Sequence, residues 1–160
     1  MEKNNAKGAC LCMQAALPLL RLAEYGRLIL TSSITGPITG TPGWVDFGAS
    51  KAAQLVYMRT RAIELYKDEI TVNAILRGNI VTEGFLNVDA EYQAGVTAST
   101  PLKRLGTSED EASAVLFASR EAGYVRGQSL IIDSGQVLPE SLQTHRYSSE
   151  MRAMSLELIM

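Results

Sequence analysis

The sequence predicts an open α/β fold in which helices cover a parallel sheet of about three strands. Three short apolar stretches lie between polar or glycine-containing segments, which is typical of strands that are covered on both faces. These stretches lie in "YGRLILTSS", "EITVNAIL" and "GQSLIIDSG". A segment with apolar residues at helical spacing precedes each of them. This alternation of helix and strand is the pattern of parallel strands joined by right-handed crossovers.

The first helix is predicted over residues 3–23, with Pro18 as a kink near its end. The apolar residues that recur there at helical spacing are Ala9, Met13, Ala16, Leu17 and Leu20. Gly26 stops this helix, and the apolar run at residues 28–30 predicts the first strand. The next segment, "GPITGTPG", is rich in glycine and proline, so residues 36–43 are predicted to form a loop.

A second, longer helix is predicted over residues 45–66, where alanine and aliphatic residues lie among other helix formers. After the second strand, "RGNIVTEGFLNVDAEYQAGVTAST" mixes glycine and asparagine with short apolar pieces, which predicts a long loop with one or two small helices. A third helix is predicted over residues 109–119, because Thr107 or Ser108 can cap it and acidic residues fill its first turn.

Composition narrows the class of protein. The 160 residues suit one domain, and 46% hydrophobic and 20% charged residues are close to globular averages. A net charge of -2 gives no electrostatic reason to expect a nucleic acid or an anionic membrane as partner. Cys10 and Cys12 are expected to point away from each other on a helix, and His145 alone cannot complete a zinc site, so no metal site is predicted. No stretch is a good bilayer span or signal peptide, so we expect a cytoplasmic protein.

The loops after the first two strands are the expected place for a ligand. In open α/β sheets ligands bind beyond the carboxyl ends of the strands, and both "TSSITG" and "RGNIVTEG" fall there. At the start of the second helix, "FGASK" places Phe47 four residues before Lys51, so the ring and the ammonium are expected on one helix face. We therefore predict that these segments converge on one site.

These segments together resemble the short-chain dehydrogenase/reductase family, and more narrowly its 3-oxoacyl-carrier-protein-reductase-like members. The resemblance covers about residues 5–142 and rests on five segments in the family's order and approximate spacing. They are "NAKGACLCMQAALPLL", "GRLILTSSITG", "FGASKAA", "TVNAILRGNIVTEG" and "AGYVRGQSLIIDSG". The fold that the resemblance implies is a partial doubly wound, Rossmann-like parallel sheet.

The resemblance implies a catalytic tetrad with one member changed. Asn5 matches the helix asparagine that holds a water in the family's proton relay, and Ser33 matches the serine that polarises the substrate carbonyl. Lys51 matches the lysine that binds the nicotinamide ribose and lowers the pKa of the catalytic tyrosine. Phe47 stands where that tyrosine is expected. Because phenylalanine has no proton to give, we expect little or no activity from this chain.

The resemblance also implies NAD or NADP as cofactor. Gly78, Ile80 and Thr82 match the positions that contact the nicotinamide amide and phosphate in relatives. Arg77 takes the place of a usual proline beside the nicotinamide, where it is either a solvated charge or a new contact for an anion, and Ser134 replaces a usual glycine. The glycine-rich strand–turn–helix that cradles the pyrophosphate has no counterpart, because Gly36, Gly40 and Gly43 follow the strand that carries Ser33; they are not expected to replace it.

The expected organisation is therefore the carboxyl-terminal half of the family fold over residues 1–142, with the amino-terminal half absent, and a tail over residues 143–160 that is either loose or a short helix. The resemblance implies a small-molecule ketone or alcohol as substrate. An open edge beside the first strand and the helices at 3–23 and 45–66 favour a homo-oligomer. Two alternatives stay open, a non-enzymatic oligomerisation or interaction module and a decayed gene fragment.

Overall fold

A three-stranded parallel sheet organises the chain, as predicted. The computed structural model describes residues 2–138, so the predicted tail at 143–160 lies outside the described residues. The strands are β1 (Arg27–Ser33), β2 (Thr71–Arg77) and β3 (Ser129–Ile132), in the order β1-β2-β3. Each pairs in parallel with its neighbour along the chain. The predicted α/β class and strand number are confirmed.

The helices before β1 and β2 agree with the prediction in type and nearly in length. A π-helical segment, Glu2–Gly8, leads into α1 (Ala9–Leu20), which ends two residues after Pro18. Helix α2 (Val45–Glu64) crosses from β1 to β2 and is followed by a single 3₁₀ turn. The predicted ends at 23 and 66 were both wrong by two or three residues, which is the usual uncertainty at frayed helix ends.

The long segment after β2 contains two short helices, α3 (Glu83–Leu86) and α4 (Ala90–Ser99), as predicted. Thr82 and Asp89 cap them, since each side-chain oxygen accepts a hydrogen bond from the backbone N–H three residues later. None of the helices within residues 2–138 is both long and apolar enough to cross a bilayer.

The prediction of one α-helix over residues 109–119 was wrong. Helix α5 covers only Ser108–Ala112, beginning at a capping box formed by Thr107 and Asp110, and a 3₁₀ helix follows at Ser113–Ala118. A 3₁₀ helix aligns residues three apart, and Ala114 and Phe117 are both buried at that spacing. Packing of these two side chains against the sheet therefore takes precedence over the helical periodicity of the sequence.

The core lies on both faces of the sheet, with β2 at its centre. Val72, Ala74 and Leu76 alternate along β2 toward the cluster that α1 and α2 complete, whereas Ile75 joins Ala114 and Phe117 on the opposite face. All of β2 except its last residue is buried. Within the described residues, β1 pairs only with β2, so its other edge has no strand beside it. The expected open edge is therefore present in this part of the chain.

Candidate functional site

The predicted site residues gather at the carboxyl ends of β1 and β2. The strand register pairs Ser33 with Arg77, so the two chain segments leave the sheet side by side. Helix α2 begins after the loop that follows β1, and its first turns carry Phe47 and Lys51 on one face. The Lys51 Nζ lies 5.8 Å from the centroid of the Phe47 ring. The predicted convergence of Phe47 and Lys51 on one helix face is confirmed.

Lys51 is held firmly although its side chain is charged. It is only 8% exposed, and its Nζ donates a hydrogen bond to the Thr31 carbonyl oxygen at 2.9 Å. The Ser32 hydroxyl donates to the Lys51 carbonyl oxygen at the same distance, which ties the helix to β1. Burial lowers the pKa of the Lys51 amine, and the positive charge of Arg77 lowers this pKa further.

Ser33 ends β1 with its hydroxyl partly committed to the backbone. The Oγ accepts a hydrogen bond from the Thr35 N–H at 3.1 Å, which is a common local role for a serine at a strand end. Accepting this bond leaves the hydroxyl proton able to donate. The arrangement therefore keeps the one function that Ser33 would need in order to polarise a carbonyl oxygen.

Phe47 packs as an aromatic ring and brings no polar atom to the site. It is half-buried and meets Trp44 edge to face, with ring centroids 5.2 Å apart. The Phe47 backbone is fixed as well, because its carbonyl oxygen accepts a hydrogen bond from the Ser50 hydroxyl at 2.7 Å. The contacts with Trp44 and Ser50 therefore also determine where a hydroxyl added to this ring would lie.

Asn5 contacts α2. Its Nδ2 donates a hydrogen bond to the Ser50 Oγ at 3.1 Å, and its backbone carbonyl oxygen accepts one from the Gln54 Nε2 at 2.9 Å. These bonds join residues that are 45 and 49 positions apart, so they fix the π-helical segment against the helix that carries Phe47 and Lys51. Ser50 and Gln54 were not predicted as the partners, since each is an ordinary residue of the predicted helix.

Two glycines let the loop after β1 approach α2 closely. Gly36 has a φ of +102°, and a Cβ there would overlap the backbone of Gly48, which lies one residue after Phe47. On the helix side, a Cβ on Gly48 would lie 3.3 Å from the Gly36 Cα. The glycine of "FGASK" therefore has a packing role that the sequence did not reveal.

Arg77 forms an ion pair with Glu111 of α5. The Nε lies 3.2 Å from one carboxylate oxygen, and the Nη1 lies 3.5 Å from the other. The side chains are 35% and 20% exposed, so the pair lies at the rim of the protein and solvent screens it only in part. Two roles were predicted for Arg77, a solvated charge or a contact for an anion. The ion pair excludes a freely solvated charge, and the anion that Arg77 contacts is the Glu111 carboxylate of the same chain.

The other three predicted cofactor residues have different environments. Gly78 makes room for β3, because a Cβ there would lie 2.6 Å from the Asp133 Cβ. Ile80 is buried and forms an isolated parallel bridge with Gly106. Thr82 is exposed, and its Oγ1 accepts from the Phe85 N–H at 3.2 Å at the start of α3. Of the predicted cofactor residues, Arg77, Ile80 and Thr82 line a cavity next to the start of α2.

A cavity of about 420 Å³ opens between the start of α2 and the segment after β2. Its walls combine aromatic and aliphatic side chains with a few polar ones: Trp44, Arg77, Asn79, Ile80, Thr82, Gly84, Phe85, Val88 and Tyr92. Sequence reasoning identified the two loops but missed the rings of Trp44, Phe85 and Tyr92. The available signal was the position of Trp44 just before the second predicted helix and of Phe85 and Tyr92 in the long segment predicted after the second strand.

The described residues do not fit a whole dinucleotide. Pyrophosphate binding favours a glycine-rich turn that leads from a strand into the amino terminus of a helix. The glycine-rich loop after β1 does lead into α2, but Gly36 packs against the helix, and Asp46 places a negative charge in the first turn. Residues 2–138 therefore contain no cradle for the phosphates.

Comparison with known proteins shows which family the chain matches and how much of it. Residues 2–136 match the profile of a family described as enoyl-(acyl carrier protein) reductase. The 3-oxoacyl-[acyl-carrier-protein] reductase of Synechocystis is 33% identical over 136 residues, which are 84% of this chain and 53% of that protein. The chain spans about half the length of the curated relatives it matches.

Solved structures give the same result. The 3-oxoacyl-[acyl-carrier protein] reductase of Brucella melitensis matches with a TM-score of 0.77 and 30% identity, over 84% of this chain and 51% of that one. A structure described as ElxO with NADP bound matches with a TM-score of 0.75 and 28% identity, over 84% of this chain and 56% of that one. The sheet is thus part of a Rossmann-like fold, and the chain belongs to the short-chain dehydrogenase/reductase family.

Proposed function

We propose that this chain provides the substrate-side part of an NAD(P)-dependent ketone or alcohol oxidoreductase and has little or no turnover by itself. The observation that carries the proposal is the pairing of Lys51 with a phenyl ring, 5.8 Å from its Nζ, at the position where the family resemblance implies a phenol. Ser33 and Asn5 have the places that the same resemblance gives to the serine and the asparagine of the tetrad. The set is therefore complete except for one hydroxyl group.

The missing hydroxyl matters because carbonyl reduction needs a proton as well as a hydride. The bound dinucleotide would supply the hydride to the carbonyl carbon, and an acid of the protein must protonate the developing alkoxide. The Ser33 hydroxyl can donate a hydrogen bond to the carbonyl oxygen, but the Phe47 ring has no proton to transfer. General acid catalysis typically contributes about 10²- to 10⁴-fold, so its loss alone removes a large part of the rate.

NAD or NADP is the cofactor that we propose, since an NADP-bound structure is among the matching folds. Lys51 would contact the nicotinamide ribose, and Gly78, Ile80 and Thr82 would contact the nicotinamide end. The phosphates need residues that the described part of this chain lacks. We therefore propose that turnover requires the amino-terminal half of the family fold, placed against the open edge of β1.

The test combines both repairs. The full 160-residue chain and its Phe47→Tyr variant are each co-expressed with the amino-terminal half of an intact relative, and NADPH oxidation is followed with a β-ketoacyl thioester. We expect turnover only from Phe47→Tyr with the added half, at a rate at least about 100-fold above the same pair with Phe47, which is the contribution of a general acid. Phe47→Tyr combined with Ser33→Ala serves as the control and is expected to be inactive. Turnover by the unaltered chain alone would refute the proposal.

A non-enzymatic interaction module is the second candidate, and exposed apolar residues favour it. Val45, Val56 and Ile63 on α2 are 79%, 58% and 73% exposed, and Leu11 on α1 is 53% exposed. Self-association through these helices, the predicted segments 3–23 and 45–66, would cover them. Size-exclusion chromatography of the chain, with and without a co-expressed intact relative, separates the two candidates. A chain that elutes as a monomer and does not co-elute with the relative argues against the interaction module.

A further inference from the structure

We propose that the cavity between α2 and the segment after β2 binds a carboxylate carried on an apolar or aromatic body, with Arg77 as the group that recognises the carboxylate. This inference names a ligand class for the site proposed above and rests on that proposal only for the ligand's role as substrate. Binding itself requires neither a bound dinucleotide nor the hydroxyl that is absent at position 47.

The walls of the cavity select the body of the ligand. The rings of Trp44, Phe85 and Tyr92 line the cavity, and the Phe85 and Tyr92 ring centroids are 6.3 Å apart with their planes tilted by 48°. Ile80 and Val88 add aliphatic surface. Aromatic rings of this kind provide large apolar contact area and favour stacking or edge-to-face contact with another ring. The cavity volume of about 420 Å³ suits a small organic molecule.

Arg77 selects the charge of the ligand. It is the only charged residue lining this cavity within the described part of the chain. In the ion pair with Glu111, the Nη1 donates to one carboxylate oxygen and the Nε lies 3.2 Å from the other, whereas no partner within residues 2–138 accepts a hydrogen bond from the Nη2. Because a guanidinium presents its donors as a fork that matches a carboxylate, the remaining Nη2 is suited to an anionic oxygen.

A second polar side chain of the cavity wall can donate a hydrogen bond to an anion. The Thr82 Oγ1 already accepts the Phe85 N–H, so its own proton is what it can offer to a ligand. The Asn79 Nδ2 is committed to the Gln136 Oε1 at 2.9 Å. Glu111 is the one carboxylate paired with Arg77 in the described residues.

Trp44, the only tryptophan of the chain, provides the measurement. The full chain is titrated with benzoate, with benzamide as a neutral molecule of the same shape, and with inorganic phosphate, and the saturable change in fluorescence is recorded. We expect benzoate to bind at least about tenfold more tightly than benzamide, since a charge-assisted hydrogen bond contributes about that factor. Equal affinity for benzoate and benzamide, or no saturable change with benzoate, overturns the proposal. Phosphate binding as tight as that of benzoate also overturns it, because the aromatic walls would then contribute nothing.

Variants identify the residue responsible. Arg77→Gln is expected to weaken benzoate binding by about tenfold or more, whereas Arg61→Gln, which breaks a separate surface ion pair with Glu64, should leave it unchanged. Glu111→Gln removes the carboxylate that competes for Arg77 and should tighten benzoate binding about threefold. If Arg77→Gln does not fold, the Glu111→Gln result decides alone, and unchanged or weaker binding there contradicts the assignment. These measurements are independent of turnover, so the proposed reaction can fail while this site stands.

Discussion

Lys51 shows how one side chain in this site depends on its surroundings. The amine is buried, is bonded to a backbone carbonyl of β1, and lies within the field of Arg77. Its pKa is lowered first by burial and then by the Arg77 charge. The Phe47 ring that lies beside this ammonium has no ionisable group whose deprotonation the ammonium could promote.

The lowered pKa of Lys51 predicts a rise in stability at alkaline pH. Between this pKa and the ordinary value of 10.5, the unfolded chain binds more protons at residue 51 than the folded chain does, so the free energy of unfolding increases with pH. Urea unfolding at a series of alkaline pH values should show this rise in the unaltered chain and not in Lys51→Met. In Arg77→Gln the rise should be smaller and begin at higher pH, because the Arg77 charge no longer lowers the pKa of Lys51. The rise should still be present, because burial is the larger cause of the lowered pKa. Identical pH profiles for the unaltered chain and Lys51→Met would contradict the assignment.

The sequence predicted the pairing of Phe47 with Lys51 but not the partners of Arg77 and Asn5. A spacing of four on a helix determines which side chains share a face, so the first inference needs no tertiary information. Glu111 is 34 residues from Arg77, and Ser50 is 45 residues from Asn5. Contacts at such separations depend on how the elements pack, which a single sequence does not reveal.

At the scale of elements, the junction between the β1–α2 loop and α2 controls where the site begins. Gly36 and Gly48 pack against each other and bring the loop directly beside Phe47. A side chain at either position would push the loop away from the helix. The position of the Phe47 ring therefore depends on two glycines that have no side chain.

This packing predicts different costs for two substitutions at glycines with positive φ. Gly36→Ala should lower the free energy of unfolding by about 3 kcal/mol, because backbone strain and overpacking each cost about 1–3 kcal/mol. Gly43→Ala should cost about 1 kcal/mol, since strain alone applies there; its φ is +80° and no atom lies within 4 Å of the added Cβ. Urea unfolding of both variants measures the difference, and equal costs would show that the contact with Gly48 does not matter.

The segment after α5 shows where element prediction from sequence failed. The apolar pattern of "ASAVLFAS" allowed an α-helix, and Thr107, one of the two predicted caps, does begin it, one residue before the predicted start. The end was wrong because Ala114 and Phe117 must both reach Ile75 and its neighbours on the sheet. Local periodicity gives the type and start of an element, whereas the sheet surface decides how the element ends.

For the whole molecule, the exposed side of α2 predicts self-association. Fully burying an aliphatic side chain contributes about 1.5–3 kcal/mol, so replacing both Val56 and Ile63 by Glu should weaken association by at least about tenfold. Sedimentation velocity over a range of concentrations measures this change. Leu102→Glu is the matched control, since Leu102 is 62% exposed and lies outside the segments 3–23 and 45–66. A chain that is monomeric at all concentrations would contradict the association, as would equal effects of the control.

Much of the fold was predictable because its strands and long helices carry clear patterns. Strand β2 contains the apolar run at residues 74–76, and the long helical segment before it requires a crossover, so the parallel sheet follows. The aromatic cavity was not predictable in the same way. Trp44 precedes α2, while Phe85 and Tyr92 lie on separate short helices, and only the folded loops place them around one space.

The register that pairs Ser33 with Arg77 also bears on the order in which the molecule is built. Phe47 and Lys51 lie on the crossover between those two strands. A single β–α–β unit, residues 27–77, therefore contains these two residues together with Ser33 and Arg77. Synthesis proceeds from the amino terminus, and local units can form as they emerge. A nascent chain that has reached Arg77 already contains the phenyl ring, the amine and the serine hydroxyl in one folding unit, well before Ser129 is made and β3 can pair.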